Sequence, residues 1–250
     1  AILAQALFFK SRYHTQTSLA SAYYPSFPLL FMAVGMCAVV TALVIPVIVA
    51  YGMLGKVAGG SQPPSGWFSW HPIIMSLGFP CLMVLGRWVY VTDSGDKSSQ
   101  RSLHRMIMLL ATLVALLGYL CIFMAHLPAK QFFGYNFVTK QWSLPSRVTH
   151  AIVGYITLLL MLAQTSMGLV KLSKLESEGT RIFTFHGDLG KIIIHMASVA
   201  MLLAIYFWAW SLTMKVILGI LTLLSTAFGA LWPKPSSSEA IPLVDDEESK

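Results

Sequence analysis

Charge is what this chain has least of. Of its 250 residues only 11% are Asp, Glu, Lys or Arg, against 56% hydrophobic residues and a mean hydropathy of +0.69. That balance excludes an ordinary soluble domain and points to a polytopic helical membrane protein. Cysteine is scarce too. Cys37, Cys81 and Cys121 each lie inside an apolar run and none belongs to a Cys-x-x-Cys pair, which argues against thiol redox chemistry and for small core residues. No Gly-x-Gly-x-x-Gly element follows the last apolar run, so a dinucleotide-fed flavoprotein reductase is not expected. Acidic side chains are nearly missing from the apolar runs, Asp188 near one mouth excepted, whereas a metal-transport path would want them there. The opening stretch 1–9 lacks the length and flanks of a secretory signal.

The few charges are lopsided, with a formal net charge of +7. In a soluble protein that would suggest a nucleic-acid partner. Here the basic residues sit in short loops between apolar runs and form no contiguous patch for a phosphate backbone, so no nucleic acid is expected and the partner is the lipid bilayer.

Six runs are long and apolar enough to span: 28–54, 71–91, 103–127, 147–172, 185–210 and 216–232. The sequence therefore predicts a six-helix transmembrane domain over 28–232. A polar, interfacial segment precedes it at 1–27, and a disordered acidic tail follows at 233–250, ending in Asp245-Asp246-Glu247-Glu248. Pro46 predicts a kink in the first span, and Arg87 is placed to snorkel from the end of the second. The loop 128–146 is aromatic-rich, with Phe132, Phe133, Tyr135 and Trp142. Lys97, Arg101, Arg105, Lys171, Lys174 and Arg181 cluster on the side shared by both termini, so both termini are expected in the cytoplasm.

Ionisable groups inside a membrane are functional suspects. Four histidines, His71, His104, His150 and His186, lie near the starts of four successive spans. With antiparallel neighbours, His71 and His150 share one membrane face and His104 and His186 the other. Facing imidazoles at one depth in a helix bundle suit bis-histidine haem ligation. The two sites would lie about 20 Å apart along the membrane normal, at about 1.5 Å per helical residue. Gly154 and Gly190 each follow a histidine by four residues, on the ligand's face, where a flat macrocycle could approach the backbone. His195 falls half a turn out of phase with His186 and shares a face with Lys191, as in a polar interhelical contact. His126 is expected on the non-cytoplasmic, substrate side, and His14 carries no role. A zinc site would need four donors converging on one point, whereas these lie at two depths. The competing interpretation is a non-redox transporter or scaffold, with the histidines as interhelical contacts or a metal path.

The motif Phe68-Ser69-Trp70-His71-Pro72, with Met75 and the four spaced histidines, resembles the eukaryotic cytochrome b-561 family, the ascorbate-dependent transmembrane electron carriers. The resemblance covers about residues 30–232. It implies an all-α membrane protein in which the second to fifth spans form a four-helix core around two b haems, flanked by the first and sixth. It also implies His71 with His150 as ligands of the non-cytoplasmic haem and His104 with His186 as ligands of the cytoplasmic one. Cytosolic ascorbate would be the donor, and monodehydroascorbate or ferric ion the acceptor. The basic ascorbate site of the family maps to Lys97, Arg101, Arg105, Lys174 and Arg181. Lys130, Lys140, Arg147, Tyr135 and Asn136 are candidates for the acceptor on the far side. A homodimer is in keeping with the family. Trp70 would be an interfacial anchor and Pro72 a first-turn proline needing no amide partner. The third-to-fourth loop, Lys191 and His195 depart from the family pattern.

Overall fold

In the computed structural model, the described residues are 27–54, 66–91 and 97–231. The loop at 59–65, the acidic tail and nearly all of the N-terminal segment lie outside them. The chain divides into two compact units, 1–37 and 38–250, and the candidate site lies wholly in the second.

Among the described residues six helices are long and apolar enough to cross a membrane, as expected from the sequence. Helix α1 is Phe27–Leu54. Helix α2 runs in three pieces, Trp67–Ser76, a π-helical stretch Leu77–Met83, and Val84–Val91. Helix α3 is Lys97–His126, α4 Pro145–Glu178 and α5 His186–Phe207. Helix α6 is Leu212–Thr226, extended by a π turn at Ala227–Leu231. Helices α2 and α3 pack as one antiparallel hairpin and α4 and α5 as another, with α3 against α4.

Between the hairpins lies an apolar core that includes Phe79, Ala115, Leu158, Met161 and Ile193. The later part of α1 packs through Ile45, Val49 and Met53 onto Ile205, Trp210 and Leu218 of the α5–α6 region. Outward faces are apolar as well. Leu103, Met106, Leu110, Leu113, Leu117 and Leu120 form an exposed stripe along α3, the surface a lipid-facing helix presents because lipid tails solvate it.

Proline explains the π stretch. Pro80 lies in mid-span and has no amide to give, so the helix widens there and the ladder loosens. The Pro80 carbonyl also accepts from Ser225 Oγ of α6 at 3.0 Å, a polar tie between the two helices at the loosened stretch.

Several boundaries differ from expectation. Helix α3 begins at Lys97 and α4 runs on to Glu178, where Gly179, in the left-handed region at φ 66°, ends it. Because α2 starts at Trp67, Pro72 lies in its second turn rather than its first, and the Phe68 carbonyl loses the ladder partner that a Pro72 amide would have been. Pro46 sits inside α1, which is helical throughout. Arg87 is buried at 7% exposure instead of snorkelling.

The loop between α3 and α4 is ordered. Strands β1 (Gln131–Phe132), β2 (Tyr135–Asn136) and β3 (Gln141–Trp142) form an antiparallel meander pairing Phe132 with Tyr135 and Tyr135 with Trp142. Its tight corners use Lys130, Phe133 and Lys140 at positive φ, together with Gly134.

Candidate haem-binding site

The π stretch and the two hairpins set where the four histidines stand. His71 of α2 and His150 of α4 face one another across the bundle, ring centroids 6.3 Å apart and planes 89° apart. Each ring is tied back through its other nitrogen. His71 Nδ1 donates to the Gly118 carbonyl of α3 at 2.9 Å, and His150 Nδ1 to the Ala200 carbonyl of α5 at 2.8 Å. A carbonyl can only accept, so Nδ1 carries the proton and Nε2 keeps its lone pair. That is the tautomer a metal-ligating imidazole adopts, its second nitrogen fixed by a backbone oxygen.

The spacing suits an axial pair. Two metal–imidazole bonds of about 2 Å each, plus a ring radius on either side, fill a gap of this size. Gly154 adds room, since a Cβ built there would meet nothing within 4 Å. These residues fit a b-type haem. The same end carries an aromatic shell. Phe207 lies 5.5 Å from the His150 ring, and the Arg147 guanidinium stands 5.6 Å over the Phe207 ring. Phe68 stacks on Trp208 at 5.1 Å and meets His126 at 6.5 Å.

At the opposite end, His104 of α3 donates from Nδ1 to the Gly86 carbonyl of α2 at 2.8 Å, with the Tyr90 ring 5.0 Å away. His186 opens α5 and lays its ring against α4, where a Cβ at Gly168 would come 3.1 Å from its Cε1. Gln164 Nε2 of α4 donates to the His186 carbonyl at 2.6 Å. Gly190 differs from Gly154, for its open side faces the Gln164 amide at 3.3 Å.

The predicted substrate residues are less uniform. Arg105 and Arg181 are exposed and Arg101 partly buried at the His104 end. Lys174 is also exposed but forms an ion pair with Glu178 one turn on. Lys97 opens α3, and its side chain lies outside the described residues. At the other end, Lys140 and Arg147 are exposed, and Tyr135 meets Phe137 edge-on and Trp142 at a tilt, both at 5.0 Å. Asn136 Oδ1 accepts from the amides of Val138 and Thr139, each at 2.9 Å, which devotes that oxygen to the turn. Lys191 bonds Asp188 of its own helix at 2.8 Å and His195 is exposed on α5, in place of the polar interhelical contact expected for this pair. Among the described residues no three His, Cys, Asp or Glu side chains are grouped to hold a metal ion.

Sequence reasoning missed the residues whose carbonyls hold the rings, Gly86, Gly118 and Ala200. A weak signal existed, since each glycine lies about four helical turns beyond the histidine of its own helix, at the depth of the other site.

The family model for eukaryotic cytochrome b561 matches residues 70–212, which include all four histidines. Over 76 residues the chain is 38% identical to proteins named transmembrane reductase CYB561D2 of Homo sapiens and Bos taurus, and 37% identical to that of Mus musculus. Those alignments cover 28% of this chain and 34% of each relative, so the chain spans about a third of the length of the curated relatives it matches.

Proposed function

The chain belongs to the eukaryotic cytochrome b561 family, and from that premise we propose that it moves single electrons across a bilayer, from cytosolic ascorbate through two b haems to monodehydroascorbate or ferric ion. The observation that carries this is the His71–His150 pair, 6.3 Å apart with both Nδ1 atoms held by backbone carbonyls. The name of the relatives, transmembrane reductase, supports the same class of reaction.

When bound, haem supplies one-electron redox cycling. The chain supplies the rest. His71 with His150, and His104 with His186, would hold the iron through ring nitrogens, with Gly154 and Gly190 beside them. The apolar core around Phe79, Leu158 and Ile193 keeps water from the space between the two ends. Lys97, Arg101, Arg105, Lys174 and Arg181 attract anionic ascorbate from the cytoplasm, the side on which both termini lie. Lys140, Arg147, Tyr135 and Asn136 receive the acceptor. Arg147 is the strongest of this last set, because its guanidinium already lies over Phe207 beside His150.

The test is vectorial transfer. Proteoliposomes with a ferric chelate trapped inside are given ascorbate outside. Ferrous ion should accumulate inside only in vesicles holding the protein with its Arg105 end outward. Equal accumulation in protein-free vesicles, or none at all from haem-loaded protein, overturns the proposal.

A further inference from the structure

Resting on the two-haem proposal, we infer that Gly118 and Gly86 are positioning residues that cross-fasten the α2–α3 hairpin, each orienting the ligand of the site its own helix does not serve. His71 of α2 is held by the Gly118 carbonyl of α3, and His104 of α3 by the Gly86 carbonyl of α2. Each site is thus steered by the helix that carries the ligand of the opposite site.

Glycine is what makes the reach possible. A mid-helix carbonyl already accepts from its own ladder, and its second lone pair is available only to a group that comes close. At Gly118 a Cβ would lie 2.7 Å from Met75 Sδ, 2.9 Å from its Cγ and 3.2 Å from its backbone nitrogen. At Gly86 it would lie 3.1 Å from Ile107 Cγ2 and from Met108 Cε. The α4–α5 hairpin serves as the internal contrast. There His150 uses the carbonyl of Ala200, so that seam accommodates a side chain and the α2–α3 seam does not. Because Met75 follows His71 by one turn, pushing α2 off Gly118 moves the ring away from the oxygen that sets its tautomer and basicity.

The experiment compares Gly118→Ala, Gly86→Ala and the control Gly219→Ala, whose Cβ meets nothing within 4 Å. The readouts are haem retained per chain, the low-spin electron paramagnetic resonance signals and the midpoint of each component. The components are assigned beforehand with His71→Ala and His104→Ala. Gly118→Ala should shift the His71 component and lower haem affinity there by about 10- to 100-fold, the range for lost outer partners of a metal ligand, while leaving the His104 component in place. Gly86→Ala should do the reverse, more mildly, since its Cβ meets flexible side-chain ends. Gly118→Ala combined with Met75→Ala should restore the signal. If Gly118→Ala does not fold, Gly86→Ala and the double variant decide. Unmoved components in haem-loaded variants, or a shift at the site of the same helix, overturn the inference. A haem-free parent protein would overturn the two-haem proposal instead.

Discussion

Replacing His71 with alanine removes one of two facing nitrogens and leaves the other in place. His150 stays tied to Ala200 at 2.8 Å, so its Nε2 keeps its lone pair while the partner ring 6.3 Å away is gone. Loss of a mere outer partner of a metal ligand lowers affinity about 10- to 100-fold, equivalent to about 1.4–2.8 kcal/mol. Removing the donor nitrogen must exceed that, so haem at this site should fall below detection after purification. The Gly118 carbonyl keeps its own ladder bond, so the fold should lose no more than about 1 kcal/mol from the missing contact. The opposite site hangs on different oxygens, with His104 on Gly86, and should keep its haem. The assay is haem per chain by pyridine haemochrome with a reduced-minus-oxidised spectrum. About half the haem should remain, and added imidazole, small enough for the vacated space, should restore the lost component. His195→Ala should leave both haems, because that ring is exposed on the outer face. Full haem content in folded His71→Ala, or loss of both haems, would refute the reasoning.

Other consequences are equally open to measurement. Ser225→Ala deprives the Pro80 carbonyl of its 3.0 Å partner and should lower stability by about 0.6–2 kcal/mol, read as a lower thermal midpoint in detergent, whereas Ser177→Ala at an exposed intrahelical bond should change it by less than about 0.5 kcal/mol. Gly134→Val forces a branched residue to φ 80° with its Cβ 2.8 Å from Val148 Cγ2. Strain of about 1–2 kcal/mol plus overpacking of about 1–3 kcal/mol should open the meander to proteolysis; a meander as resistant as the parent would count against its packing on α4. Arg105→Ala and Arg181→Ala should raise the KM for ascorbate several-fold at unchanged haem content and flatten its salt dependence. Lys174→Ala should do less, as Glu178 already neutralises that lysine, and an equal effect from all three would contradict this ranking.

The six spans were legible because apolarity over about 20 residues has only one common explanation. Helix ends were not, because apolarity marks the membrane and not the helix. Ser98, Ser99 and Gln100 continue α3 outside the apolar run, and α4 passes through Lys174 and Glu176 before Gly179 stops it. The His71–His150 pairing came from counting alternate spans, and the 6.3 Å separation agrees with it. The oxygens that hold these rings were invisible, since a backbone carbonyl leaves no mark in a side-chain pattern. The two-residue strands were equally hidden. They depend on Lys130, Phe133 and Lys140 adopting left-handed backbone, which no residue preference announces. Pro80 carried a signal for the π stretch that went unread, since a proline disturbance is expected from the sequence at Pro46 alone.

The central claim, that His71 with His150 and His104 with His186 make this chain a two-haem electron carrier, is tested most directly by the absorbance of the purified protein. About two b-type haems per chain, reduced on adding ascorbate and both low-spin, is the expected result. A colourless, haem-free protein that is folded and six-helical would contradict it.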